Sequence, residues 1–343
     1  VPSRTLASGA VPSPHGDHAV LSDEAGPIAA VPDGNRSVIL PDVAVPHAGR
    51  TFLLSIKGAG AGAALFDDLP VTGAPPRVVA AESWMGDAPY GGQGERGARD
   101  ALALSALLDA RSTLGGACLC PVIAVVEIPD AHVREDCLWY RRHRGLRVQE
   151  HRLVPSDVRL FHGTEGALAR DPERALVGLG VEDVAALDAF ADRYLATGVA
   201  ALTLWARTAR EGPDGLEGLD YEDVWLDKDS LLAPDGSLFL VDLETIEWTP
   251  VTARRDAEAR IRRQIDRNHY DLFYGLDAIL GVRDRWLDRA PDRAARRESV
   301  AARLALALAG DPFVAVEDLG DGVDLSVGSA VGAPVRVRMV DRR

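Results

Sequence analysis

Two stretches of this chain hold side chains suited to gripping and activating a phosphate ester. The first ends on Lys57. Of 38 Lys and Arg residues only Lys57 and Lys228 are lysine, so a lysine closing the apolar run Thr51-Phe52-Leu53-Leu54-Ser55-Ile56 marks a place for a compact ammonium rather than a planar guanidinium fork. The second is Asp227-Lys228-Asp229-Ser230-Leu231-Leu232, then Pro234-Asp235-Gly236, then Leu238-Phe239-Leu240-Val241-Asp242-Leu243-Glu244. Pro-Asp-Gly is a turn signal, with a preset φ, a side-chain turn and a permissive glycine. It predicts a β-hairpin that brings two carboxylate-bearing strand ends together. Strand alternation carried through Glu244 would set Asp242 and Glu244 on one face. Asp229, Asp242 and Glu244 would then offer the hard oxygen donors that Mg²⁺ or Mn²⁺ takes alongside phosphate oxygens and water. Arg152 and Arg159, separated by Leu-Val-Pro-Ser-Asp-Val, add forks that grip phosphate bidentately.

The elements around these residues predict a mixed α+β protein. Residues 1–36 are rich in Pro, Gly, Ala and Ser and read as a loop-rich arm, with order beginning near Ser37. Ser37 to Leu40 and Thr51 to Ile56 read as strands, and Arg77 to Ala80 as another. Glu95 to Ala110 has helix composition, and Cys120 to Ile128 is the continuous apolar run of a buried strand. A strand-rich, nucleotide-binding first lobe is therefore expected over residues 37–150 and a mainly helical second lobe over 151–311. In the second lobe Val184, Leu187, Phe190, Tyr194 and Leu195 recur at helical spacing behind a cap at Asp183 or Glu182. Residues 253–309 read as helices broken at Gly281 and at Ala290-Pro291, and residues 312–343 as a small antiparallel sheet.

Composition bounds the function. A formal charge of -14 argues against nucleic acid as a partner, since phosphate backbones need a basic footprint. The absence of a long apolar stretch or a secretory leader argues against a membrane and for a cytoplasmic protein. Cys118, Cys120 and Cys137 include no Cys-x-x-Cys pair, so neither a disulfide framework nor a structural zinc site is expected. Charge is uneven: eleven acidic residues fall between Glu211 and Glu244 against Lys228 alone, and twelve arginines fall in residues 251–297. A dense acidic segment suits divalent metal.

Taken in order, these segments resemble the selenoprotein O family, kinase-fold proteins that transfer AMP from ATP to protein hydroxyls. Ser55-Ile56-Lys57 is similar to the kinase strand that ends in the ATP-contacting lysine. Lys57-Gly58-Ala59-Gly60 matches the family's Lys-Gly-x-Gly, and Arg152 to Arg159 looks like its Arg-Val-x-x-Ser-x-x-Arg. Asp227-Lys228-Asp229-Ser230 stands where the family has Asn-Thr-Asp-Asn, and Asp242 stands for the Asp of the kinase Asp-Phe-Gly. The resemblance covers about Lys57 to Glu244. It implies a bilobal kinase-like fold that binds ATP and Mg²⁺ or Mn²⁺. Lys57, Gly58, Gly60, Arg152 and Arg159 would hold phosphates, Asp229 would act as base or ligand, and Asp242 would hold the metal. The acceptor would be a protein or small-molecule hydroxyl. The helix acid paired with Lys57 would be Glu95 or Asp100. Asp242-Leu243-Glu244 also resembles the Asp-Phe-Glu of small-molecule kinases, which implies γ-phosphate transfer instead. Ser230 in place of a metal-binding Asn leaves a third reading, a catalytically inactive nucleotide-binding scaffold.

Overall fold

The computed structural model describes residues 7–11, 18–23, 26–33, 37–57, 79–80, 89–90, 95–108, 113–127, 148–157, 168, 171–213, 215–221, 229–251, 254–309, 314–318, 323–329 and 332–339. These form a mixed α+β protein with several antiparallel sheets and six α-helices among the described residues. The chain divides into two units, one of Val1–Ser112 with Cys120–Asp157 and one of Thr113–Leu119 with Val158–Arg343. The division falls after Asp157 rather than at residue 150, because the strand that begins at Val148 belongs to the first unit's sheet.

In chain order the first half runs β1 (Ala7–Val11), β2 (His18–Asp23), β3 (Gly26–Asp33), β4 (Ser37–His47), β5 (Arg50–Lys57), β6 (Val79–Ala80), β7 (Pro89–Tyr90), α1 (Glu95–Ser105), β8 (Thr113–Leu114), β9 (Ala117–Leu119), β10 (Val122–Glu127) and β11 (Val148–Pro155). The first unit is built on a seven-stranded sheet ordered β1-β2-β3-β4-β5-β11-β10, with every neighbouring pair antiparallel. Three strands thus stand where Pro and Gly content predicts a loop-rich arm. Short strands toward a sheet edge tolerate the Pro and Gly that a central strand would not. β4 likewise continues through Pro41 and Pro46, with an irregularity in register between Leu40 and Ala44 that accommodates them. It turns into β5 at Ala48 and Gly49, whose φ of 55° and 78° give the left-handed pair of a two-residue hairpin. α1 buries Ala98, Ala101, Leu104 and Ser105. The Ser105 hydroxyl donates to the Ala101 carbonyl at 2.7 Å and accepts from the Val122 amide at 2.7 Å, which clips the end of α1 to β10. β10 is less buried than its apolar sequence predicts, with Ile123 50% exposed.

The second unit continues with α2 (Pro172–Gly178), α3 (Val184–Leu202), α4 (Leu204–Thr208), β12 (Arg210–Gly212), β13 (Gly215–Tyr221), β14 (Ser230–Leu232), β15 (Leu238–Leu240), a 3₁₀ turn at Leu243–Thr245, β16 (Ile246–Val251), α5 (Arg254–Trp286), α6 (Arg293–Ala309), β17 (Val314–Asp318), β18 (Val323–Ser329) and β19 (Gly332–Met339). Helix starts follow the acid caps. Asp171 accepts from the Arg174 amide at 3.1 Å with Pro172 opening α2, Asp183 accepts from Ala186 at 2.8 Å, and Asp292 accepts from Ala295 at 3.0 Å. α5 runs unbroken through Gly281. A glycine costs a helix interior only about 1 kcal/mol, which the burial of Leu272, Leu276, Ile279 and Val282 overrides. The break falls instead between Trp286 and Arg293, around Ala290-Pro291. β17, β18 and β19 form the antiparallel tail sheet expected from the sequence.

A buried polar network ties this unit together. Asp220 on β13 meets Arg260 of α5 at 3.1 Å and accepts from Gln264 at 3.3 Å, while the Gln264 side-chain oxygen accepts from the Trp205 amide at 3.1 Å. The Trp205 indole donates to the Thr249 carbonyl at 3.3 Å, so α4, α5, β13 and β16 share one set of bonds.

Gly236 tests the turn geometry. Its φ is +87°, and a Cβ there would collide with the Phe190 carbonyl oxygen, whereas Gly49, at φ +78°, has nothing within 4 Å of a built Cβ. Gly49→Ala should therefore lose only the conformational ~1–2 kcal/mol. Gly236→Ala should lose about 2–4 kcal/mol by adding overpacking to the same strain. Urea unfolding of both variants checks this, with equal losses counting against the clash.

Candidate functional site

Antiparallel pairing collects a group of polar side chains on one face of the first unit's sheet. Lys57 lies directly opposite both Ser37 on β4 and Glu150 on β11, and Ser55 lies opposite Arg152. Directly paired residues share a face, as do residues two apart on a strand. Ser37, Ser55, Lys57, Glu150 and Arg152 are therefore neighbours, and all are buried, at 7%, 0%, 3%, 1% and 5% exposure. Arg152 donates through Nε to the Ser55 hydroxyl at 3.3 Å and through Nη2 to the Ser37 hydroxyl at 3.4 Å. Formal charges in this group are two cations against one carboxylate. Buried charge is costly unless paired and hydrogen-bonded, so these side chains depend on the register that sets them side by side.

Sequence reasoning brings Lys57 and Arg152 to notice but misses Glu150. The signal is present: Glu150 and Arg152 are two apart, so a strand from Val148 through Pro155 sets both on the face of Lys57. Placing the lobe boundary at residue 150 cuts that strand and hides the pairing.

Glu95 and Asp100, the expected helix partners of Lys57, lie elsewhere. Glu95 accepts from Arg99 Nε at 2.6 Å and Asp100 pairs with Arg96 at 3.6 Å, both one turn apart along α1. α1 rests on the other face of the sheet, where Arg99, Leu102 and Ser105 line a cavity together with His47 and Leu153. Leu153 alternates with Arg152, and His47 shares the face of Phe52, whose ring it meets edge-on with centroids 5.5 Å apart. The structure thus gives Lys57 a strand acid, Glu150, as its neighbour and sets the helix acids on the opposite face. Gly58, Gly60 and Arg159 lie outside the described residues.

The acidic hairpin sits in the second unit. β14 and β15 pair Ser230 with Leu240 and Leu232 with Leu238. At the open end the Val241 amide donates to the Asp229 carbonyl at 3.0 Å, which holds Asp229 on one arm beside the approach to Asp242 on the other. The turn is closed by Ser237, whose amide donates to Asp235 at 3.0 Å and whose hydroxyl accepts from Arg193 at 2.9 Å. The Leu238 amide donates to Thr197 of α3 at 3.0 Å, and β15 pairs in parallel with β9 through Phe239 and Leu240. A helix and a neighbouring strand therefore fix the hairpin. Asp229 is 7% exposed and Ser230 0%, whereas Asp242 and Glu244 are half-buried.

Strand alternation does not reach Glu244. β15 ends at Leu240, and Leu243–Thr245 winds into a 3₁₀ turn with Asp242 at its N-cap. With three residues per turn, the position that eclipses Asp242 is Thr245 rather than Glu244. The Thr245 hydroxyl donates to the Asp242 carbonyl at 2.8 Å. Asp229 and Asp242 remain the carboxylates that the hairpin brings to one end. Among the described residues no three His, Cys, Asp or Glu side chains converge as a metal cage. Two carboxylates suffice for Mg²⁺ when substrate phosphates and water complete the shell.

Two predictions follow from the first unit. Glu150→Leu removes the carboxylate set beside two buried cations and should cost about 3–5 kcal/mol, and Lys57→Met with Glu150→Leu should cost clearly less than the two single losses added. Additive losses in urea unfolding would show that the two side chains do not interact. His151, on the opposite face of β11, has its pKa lowered by burial, and its Nε2 finds no hydrogen-bond partner among the described residues. A folded-state pKa below the unfolded value near 6.5 means that the unfolded chain takes up the proton first. This contribution to stability is complete above about pH 6.5 and is lost as the pH falls toward the folded-state pKa. His151→Phe should flatten the acid limb of a stability–pH profile, and an unchanged profile would refute the assignment.

No protein-family model, curated protein or solved structure matches this chain.

Proposed function

We propose that this chain is an ATP- and Mg²⁺-dependent transferase of bilobal kinase-like fold, moving AMP from ATP to a hydroxyl acceptor as the selenoprotein O family does. The observation that carries the reading is the burial of Lys57 and Arg152 together on one sheet face, with Glu150, Ser37 and Ser55 as their described neighbours. A compact ammonium and a guanidinium fork brought together suit the oxygens of a triphosphate. The order of parts supports it: a lysine ending a strand of an antiparallel sheet, then a helix, then a hairpin with an acid on each arm. The placement of α1 departs from kinases, in which a helix glutamate pairs with the lysine. In this reading Glu150 takes that role from the sheet.

Lys57 and Arg152, with Arg159 and the Gly58 and Gly60 amides, would hold phosphate oxygens, Asp242 would hold the metal, and Asp229 would serve as base or second ligand. The metal supplies charge neutralisation at the phosphates. The acceptor oxygen attacks the α-phosphorus, the bond from that phosphorus to the α,β-bridging oxygen breaks, pyrophosphate leaves, and Asp229 receives the hydroxyl proton. Catalysis then comes from alignment and from cations already in place where charge builds. Two other readings rest on particular observations. Asp242-Leu243-Glu244, similar to the Asp-Phe-Glu of metabolite kinases, favours γ-phosphoryl transfer. The full burial of Ser230 weighs against it as a metal ligand and favours a nucleotide-binding scaffold without turnover.

ATP labelled separately at the α- and γ-phosphate, incubated with Mg²⁺ or Mn²⁺ and the protein, distinguishes the three. The expected result is α-label on an acceptor with pyrophosphate release, falling about 100-fold or more in Lys57→Ala and Asp242→Ala. γ-Label transfer with ADP formation would replace the reading by a kinase. Metal-dependent binding without turnover would identify the scaffold, and wild-type turnover in either variant would overturn the site.

A further inference from the structure

The sheet face opposite Lys57 carries an open cavity of about 470 Å³ bordered by α1, β10, β11 and the end of β4. That size lies within the roughly 300–1,000 Å³ of small-molecule sites, which are mostly apolar with a few placed polar groups. Leu102, Ala103, Ile123 and Leu153 supply apolar wall, and Ile123, at 50% exposure, is one of the large apolar side chains left open to solvent. Arg99 is the formally charged side chain among the described lining residues, and His47 adds a ring beside it; the Glu95 carboxylate meets Arg99 from along the helix at 2.6 Å. Ser105 has its hydroxyl already committed to Ala101 and Val122. Among the described residues only the Nε–H of Arg99 is engaged, by Glu95, so the rest of its fork is available. The His47 Nε2 lies buried behind this wall and finds no partner among the described residues.

We propose that this cavity binds a small amphipathic carboxylate, its aliphatic or aromatic body against Leu102, Ile123 and Leu153 and its carboxylate on Arg99. A neutral apolar molecule would use the wall and leave the guanidinium idle. An amine would meet a like charge, which is how the site would reject it.

Calorimetric titration of the full chain with octanoate, octan-1-ol and octylammonium tests this. Octanoate is expected to bind saturably at one site, octan-1-ol more weakly, and octylammonium not at all. Arg99→Gln should weaken octanoate about tenfold while leaving octan-1-ol unchanged. Ala103→Trp, at an exposed position of α1, fills the cavity and should abolish both, with an unchanged circular dichroism spectrum showing that the fold survives. The proposal is overturned by the absence of saturable octanoate binding, by equal affinity for octylammonium, or by octanoate binding that ignores either substitution. Because the readout is binding on the face away from Lys57, the result does not depend on nucleotide turnover.

Discussion

The register between β5 and β11 is the constraint on which the first unit turns. A shift of one residue in a strand moves every side chain to the other face. Here it would send Lys57, Ser55, Glu150 and Arg152 to the side of α1 and bring Ile56, Leu54 and Leu153 into the polar group. Both faces would fail at once, because apolar residues would lose their helix cover and charges would lose their hydroxyl and carboxylate neighbours. The two buried serines matter in the same way. Ser37 and Ser55 are small enough to sit opposite long side chains and polar enough to accept from the Arg152 fork. Larger apolar residues at those positions would fill the space and remove two acceptors from the buried guanidinium, at a cost in desolvation.

In the second unit the equivalent constraint is the anchoring of a very short hairpin. Three paired positions on each arm could not hold a geometry alone. Thr197 on α3, Arg193 on the same helix and the parallel partner β9 each bond or pair with the β15 arm or the turn that leads into it. Gly236 lets that turn approach the Phe190 backbone. The acids therefore lie at the end of a segment whose neighbours are a long, buried helix and a strand of buried Ala117, Cys118 and Leu119. That rigidity suits carboxylates that must hold fixed positions.

Much of this was legible in residue types and spacing. The Asp183 cap, the apolar stripe of α3, the Pro-Asp-Gly turn and the alternating tail strands are all local signals, and the structure follows them. Failures came where a non-local term decides. Pro and Gly in residues 7–33 read as loop because their tolerance depends on where a strand sits in the sheet, which no local window contains. Gly281 read as a break because its helix-weakening effect is local while the compensating burial of α5 is tertiary. The resemblance to kinases points to α1 for the acid beside Lys57, whereas cross-strand pairing sets Glu150 of β11 opposite it. Glu244 was set beside Asp242 by extending a strand that ends at Leu240.

That last difference changes the chemistry available to the hairpin. In an extended strand Asp242 and Glu244 would stand about 7 Å apart along one face, as a rigid pair able to bridge one cation. In the 3₁₀ turn Glu244 is carried round the axis, and the backbone at Asp242 bends away from the ladder with φ -96° and ψ 61°. What remains at the open end is Asp229, held by its carbonyl to the Val241 amide, and Asp242 one residue further along the same arm as Val241. Two carboxylates leave most of an octahedral shell to be supplied from outside the protein. A hard cation held in this way would bind weakly alone and tightly with a polyphosphate that completes its coordination. Under the proposed reading, the hairpin would therefore take a metal that arrives with a polyphosphate rather than one that resides in the protein.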